Sequence, residues 1–149
     1  DTHTHQIKMF RAGHNQPVFV PAGQTEEVSE VASSGLGIGL ERSGEIFESL
    51  LEGKTIELKP GDALVFYTDG LVEAAFTSAN APNGRERREF FGEDKLRGLL
   101  TELRGQSAQQ MLNRVVEDLD KFYGNNPLVD DYTILAIQRE KDPEDKNSI

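Results

Sequence analysis

The feature that most constrains the fold is an unbroken apolar run, Ala63-Leu64-Val65-Phe66-Tyr67, shut in between Pro60-Gly61-Asp62 and Thr68-Asp69-Gly70. Proline presets φ and glycine tolerates φ > 0, so Pro60-Gly61-Asp62 has turn chemistry. A short run without polar alternation predicts a strand buried on both faces rather than one half-exposed. The run then stops abruptly at Asp69. A carboxylate at the mouth of a buried strand, followed by glycine, aims a charge from a rigid support. The same aspartate can begin a turn or cap the next segment. This stretch alone leaves both roles open.

The chain has 149 residues, enough for one domain with a true core and too few for two comfortable ones. Its formal net charge of -10 and pI near 4.7 repel phosphate backbones, so nucleic acid and anionic membranes are poor partners. The absence of cysteine excludes disulfides, thiolate metal sites and a cysteine nucleophile, and it fits a reducing compartment. No apolar run approaches the ~18 residues of a membrane span, and no signal peptide opens the chain. The expectation is a cytoplasmic domain without membrane insertion.

In chain order, Asp1-Thr2-His3-Thr4-His5 reads as a polar turn leading into a strand at Ile7-Lys8-Met9-Phe10, and a start inside a hairpin suggests an upstream strand. His3 and His5 lack further ligands nearby and read as a solvated turn. Arg11 to Pro17 is a second turn before the strand Val18-Phe19-Val20, and His14 there has no serine or cysteine partner. Gln24 to Ser34 is polar and weakly patterned. Gly35-Leu36-Gly37-Ile38-Gly39 has neither the spacing nor the following helix of a dinucleotide loop, so its glycines point to close approach of another backbone. Ile46–Leu51 and Thr55–Leu58 read as two strands around Glu52-Gly53-Lys54. Thr77 to Glu89, with Arg85, Arg87 and Arg88, reads as a charged surface loop.

Two amphipathic helices follow. Leu96, Leu99, Leu100 and Leu103 share one helical face; Ala108, Met111, Leu112, Val115, Leu119 and Phe122 share another. Gly105 separates them, and Ser107 with Gln110 forms a capping-box signature. They read as an antiparallel hairpin lying on a sheet. The last strand, Tyr132–Ile137, follows Val129-Asp130-Asp131, and Arg139–Ile149 reads as a charged, frayed tail. Asp69 leaves a strand whereas Asp130 enters one. If those strands are antiparallel neighbours, both carboxylates reach the same sheet end. Clustered carboxylates without a cationic partner repel one another, and oxygen-only ligands select Mg²⁺ or Mn²⁺. With both segments in view, a metal site becomes the better reading.

Thr68-Asp69-Gly70-Leu71-Val72-Glu73, with Pro60-Gly61-Asp62 before it and Phe91-Gly92 and Asp130-Asp131-Tyr132-Thr133 after it, resembles the SpoIIE/RsbU-type branch of the PPM (type 2C) metal-dependent protein phosphatases. Arg11-Ala12-Gly13-His14-Asn15 is similar to that branch's Asn-Ala-Gly-His segment, and Gly35–Gly39 to its Gly-x-Pro-Leu-Gly loop. The likeness runs to about Arg139. It departs at Arg11 (usually asparagine), Gln16 (usually proline) and Gly37 (usually proline).

The resemblance implies an α+β fold, an antiparallel β-sandwich flanked by helices, spanning residues 1–139 as the carboxy-terminal part of a phosphatase domain. It implies two Mn²⁺ or Mg²⁺ ions activating a water that attacks phosphoserine or phosphothreonine directly. Asp69 and Asp130 would be metal ligands, Gly70 would let the backbone approach, and Asp131 would line the site. The implied partners are a phosphorylated STAS-type anti-sigma-factor antagonist and an upstream sensor domain in sigma-factor signalling, with a homodimer as a further arrangement. The family's Gly-Asp-x-x-Asp and Asp-x-x-Gly-His-Gly segments, which supply the bridging aspartate and a backbone ligand, do not occur here. Three readings follow: a piece of a phosphatase, a non-catalytic phosphoprotein-binding or scaffold relative, or a regulatory module with one structural cation at Asp69 and Asp130.

Overall fold

The computed structural model describes residues 1–42, 44–78, 87–124, 126 and 130–141. In chain order the elements are β1 (Gln6–Phe10), β2 (Val18–Val20), β3 (Ser29–Glu30), α1 (Glu45–Leu50), β4 (Gly53–Glu57), β5 (Ala63–Tyr67), α2 (Asp69–Val72), β6 (Ala75–Ser78), β7 (Arg87–Phe90), α3 (Glu93–Glu102), α4 (Ala108–Tyr123) and β8 (Ile134–Gln138). The central antiparallel sheet has the order β3-β2-β5-β8, and two further antiparallel ribbons are β1-β4 and β6-β7. The apolar run is β5. It lies between β2 and β8, with only Phe66 short of full burial, as its unbroken pattern requires.

Side chains alternate across this sheet. Ala63, Val65 and Tyr67 of β5 join Val18 and Val20 of β2 in one core with Leu96, Leu99 and Leu100 of α3 and Met111, Val115 and Leu119 of α4. Each of these valine, leucine and methionine side chains contributes roughly 1.5–3 kcal/mol on burial. The helical hairpin therefore covers one face, as the leucine and valine periodicity predicts. Toward the other face, Met9 and Phe10 at the end of β1 meet Phe66 and Leu135 around a cavity of about 360 Å³. Leu135 and Ile137 on that side remain 53% and 40% exposed.

The start of α4, the hairpin's second helix, has the capping chemistry read from the sequence. Ser107 Oγ accepts from Gln110 N at 3.3 Å, and Gln110 Oε1 accepts from Ser107 N at 2.9 Å. The turn before β5 is fixed by a buried carboxylate: Asp62 accepts from Ala22 N at 2.8 Å and from Lys59 N at 2.9 Å. That aspartate is structural, because both its oxygens are spent on backbone N–H groups.

Several expectations are corrected. Ile46–Leu51 is not a strand; α1 occupies Glu45–Leu50, its first turn carrying Glu45 and Glu48. None of its residues is buried, so no sheet face selected the strand period, and Glu48 N closes the first turn on Gly44 O at 2.9 Å. Arg87–Phe90 is a strand rather than loop, paired with β6 in the register Ala75↔Phe90 to Ser78↔Arg87. Phe91 N and Gly92 N extend that ribbon onto Ala74 O and Val72 O, which carries Phe91 into the core. The weakly patterned 24–34 segment contains β3, a two-residue edge pairing with β2. Tyr132 and Thr133 precede β8 rather than belonging to it. The readings for residues 79–86 and for the tail 142–149 lie outside the described residues.

Candidate metal-site end of the central sheet

The register of β5 on β8 places Tyr67 opposite Ile134 and Ala63 opposite Gln138. The exit of β5 and the entry of β8 therefore share one end of the sheet. The ladder is closed there by two threonines. Thr68 N donates to Thr133 O at 3.0 Å, and Thr133 N donates to Thr68 Oγ1 at 2.9 Å. Beyond them β5 turns into the single-turn helix α2, in which Leu71 N donates to Thr68 O and Glu73 N to Asp69 O.

Gly70 is buried in this turn. A Cβ there would drive into the carbonyl of Asp131, 2.9 Å from its carbon and 3.5 Å from the Cα of Tyr132. Asp69-Gly70 and Asp130-Asp131 thus meet backbone to backbone, which only glycine allows. Asp69, Asp130 and Asp131 are all exposed, and none forms an ion pair among the described residues. Asp130 Oδ1 accepts from Asp131 N at 2.8 Å, which fixes the local turn before β8.

The donors here are carboxylate and carbonyl oxygens, the kind a hard divalent cation takes. They fit such an ion in kind but fall short in number. Among the described residues no group of three or more His, Cys, Asp or Glu side chains is gathered closely enough to hold a metal ion. Asp69 and Asp130 can therefore furnish only part of the about six oxygens that Mg²⁺ requires.

His3 and His5 lie in an exposed turn, where the Asp1 carboxylate accepts from His3 N and Thr4 N. His14 bonds its ring Nδ1 to Asn15 O at 3.1 Å. The Gly35–Gly39 loop does make the close approach its glycines predict. A Cβ at Gly35 would collide with the Arg11 carbonyl, and one at Gly13 would stand 2.9 Å from Gly37 Cα. The sequence reading passed over Thr68 and Thr133, although each flanks an aspartate segment, and it treated Arg11 only as a departure.

A protein-family model described as Stage II sporulation protein E (SpoIIE) matches residues 1–140. No curated protein matches the sequence significantly. Among solved structures, the SiaA PP2C domain of Pseudomonas aeruginosa superposes with a TM-score of 0.66 at 20% identity, covering 94% of this chain and 49% of that one. The RsbU and RsbW domains of a Mycobacterium tuberculosis protein give 0.65 at 25% identity, covering 94% and 34%. The SpoIIE phosphatase domain of Bacillus subtilis, presoaked with Mn, gives 0.62 at 17% identity, covering 95% and 54%. The chain thus spans about half the length of the two single-domain structures. With a family match over nearly all its length and the same α+β architecture, the chain belongs to the SpoIIE family, the SpoIIE/RsbU-type branch of the PPM (type 2C) phosphatases.

Proposed function

We propose that this chain forms part of a metal-dependent protein serine/threonine phosphatase in which Asp69 and Asp130 bind Mn²⁺ or Mg²⁺. Gly70 gives the backbone room, and Asp131 lines the site without bridging ions. The observation that carries this reading is the β5–β8 register, with Gly70 lodged against the Asp131 carbonyl. Divalent ions, when bound, supply an activated water and offset charge on the phosphoryl oxygens. The chain's own contribution is to hold its carboxylates on backbone that Thr68 and Thr133 fasten together. The substrate in this reading is a phosphoserine or phosphothreonine protein of the STAS type, in a cytoplasmic pathway downstream of a sensor domain. No helix among the described residues is long and apolar enough to cross a membrane.

The shortfall of donors favours a second reading, a phosphoprotein-binding or scaffold module that does not turn over substrate. Calorimetric titration with Mn²⁺ and phosphate release from a phosphorylated STAS-type protein separate the two. The 149-residue chain should bind Mn²⁺ weakly and hydrolyse near background. A longer chain that carries a bridging carboxylate should be active with Mn²⁺. In that chain Asp69→Asn or Asp130→Asn should cost more than the roughly 10–100-fold typical of outer-shell ligand partners. Robust Mn²⁺-dependent turnover by the 149-residue chain alone would sink the argument from missing donors, and an inactive longer chain would favour the scaffold.

A further inference from the structure

Beside the Gly70–Asp131 contact, Arg11, His14, Thr68 and Thr133 line the cavity of about 360 Å³. Arg11 is held there by two backbone carbonyls. Its Nε donates to Ser33 O at 2.9 Å and its Nη1 to His14 O at 2.9 Å. Among the described residues Nη2 makes no hydrogen bond, and no carboxylate lies within ion-pair distance of the guanidinium. Arg97 and Arg114, by contrast, pair with Glu30 and Asp94 and with Asp118.

A guanidinium fixed along one edge by carbonyls keeps its positive charge and presents its remaining N–H groups in a set direction. Its anchorage is firm, because the segments that supply the carbonyls are themselves in backbone contact, Gly35 on Arg11 and Gly13 on Gly37. The neighbouring sheet end carries Asp69, Asp130 and Asp131, so an anionic ligand approaching it meets repulsion unless a cation stands beside the path. Arg11 is a cation lining that cavity, and planar guanidinium donors suit phosphoryl oxygens.

The geometry points to Arg11 as a phosphate-recognition residue: its free Nη2 edge takes a phosphoryl oxygen of a phosphorylated serine or threonine presented at the Asp69–Asp131 end. This rests on the phosphatase reading and names the group by which that site tells a phosphorylated residue from a plain one.

The test is fluorescence anisotropy of a labelled, basic-flanked phosphoserine peptide and its unphosphorylated twin against the 149-residue chain, in EDTA and in Mn²⁺, at fixed salt. The wild type should prefer the phosphopeptide. Arg11→Met should lower that preference about 10- to 100-fold, the value of a charge-assisted hydrogen bond, and Arg11→Lys should fall between. Arg11 also clamps two loops, so the readout is the ratio of the two affinities. Equal weakening of both peptides by Arg11→Met would make the residue purely structural and overturn the inference, as would a wild type without preference. Full displacement by an equal concentration of inorganic phosphate would overturn the assignment to a phosphorylated residue. Failure of the parent reading looks different. A chain that binds no Mn²⁺ yet discriminates through Arg11 loses the phosphatase and keeps the subsite; one that binds Mn²⁺ through Asp69 but ignores Arg11 does the reverse.

Discussion

Gly70→Ala tests the backbone contact on which the candidate site depends. The new Cβ would meet the Asp131 carbonyl at a distance no real Cβ tolerates, and the obstructing atoms are backbone rather than a movable side chain. Overpacking of this kind costs about 1–3 kcal/mol. Relief requires the ends of β5 and β8 to part, which strains the two Thr68–Thr133 hydrogen bonds, worth about 1 kcal/mol each. Gly70 lies in α2 and is not in the left-handed region, so alanine recovers up to about 1 kcal/mol of helix propensity. The balance is a loss of about 2–4 kcal/mol. For a domain of this size that lowers Tm by roughly 5–15 °C. Gly98→Ala is the matched control, since Gly98 lies exposed in α3 with nothing within 4 Å of the added carbon. It should stabilise by about 0.4–1 kcal/mol. Differential scanning calorimetry of the two variants reads both signs at once. A Gly70→Ala melt at or above the wild-type temperature would refute the contact.

Two further outcomes are expected. Ser107→Ala should cost about 1 kcal/mol by removing the α4 cap, whereas Val115→Asp should cost several times that by burying an unpaired charge among Leu96, Leu100 and Met111; equally mild melts would contradict the buried-face assignment. Burial, with the nearby Glu93 and Glu30 charges, pushes the Tyr67 hydroxyl up to about 12 from an ordinary value of 10.0. The folded chain then holds a proton that the unfolded chain releases between pH 10 and 12, so stability is full below pH 10 and declines by roughly 2–3 kcal/mol across that window. Tyr67→Phe should flatten this part of a denaturant-midpoint titration, and an unchanged slope would show that another group causes it.

The sheet core was legible in the sequence because its signals are local and redundant. The unbroken apolar run of β5 and the helical spacing of Leu96–Leu103 and Ala108–Phe122 each match one period only, and burial selects the same period. The segment at α1 was not legible for the opposite reason. Ile46, Phe47, Leu50 and Leu51 stand at offsets 0, 1, 4 and 5, which fit a helix, but the run is short and no buried face reinforces that period. Arg87–Phe90 misled because its charges suggest a loop, although Arg88 and Glu89 stay exposed on a ribbon outside the main sheet, where charge costs little. At the site, the placement of Asp69 and Asp130 at one sheet end followed from strand exit and entry. The closeness of Gly70 to the Asp131 carbonyl and the Arg11 clamp did not, because each depends on where two backbones pass in space.

The pairing of Thr68 with Thr133 joins positions 65 residues apart in the chain. Closing a loop of that length costs more entropy than forming the local α3–α4 hairpin, so the hairpin is expected to form first. A chain in which β8 has not docked on β5 has no junction between the two aspartate segments. If this sheet end assembles after the hairpin, any ligand binding that needs both aspartate segments appears later than helix. In a refolding experiment, recovery of helix by circular dichroism should precede recovery of ligand binding.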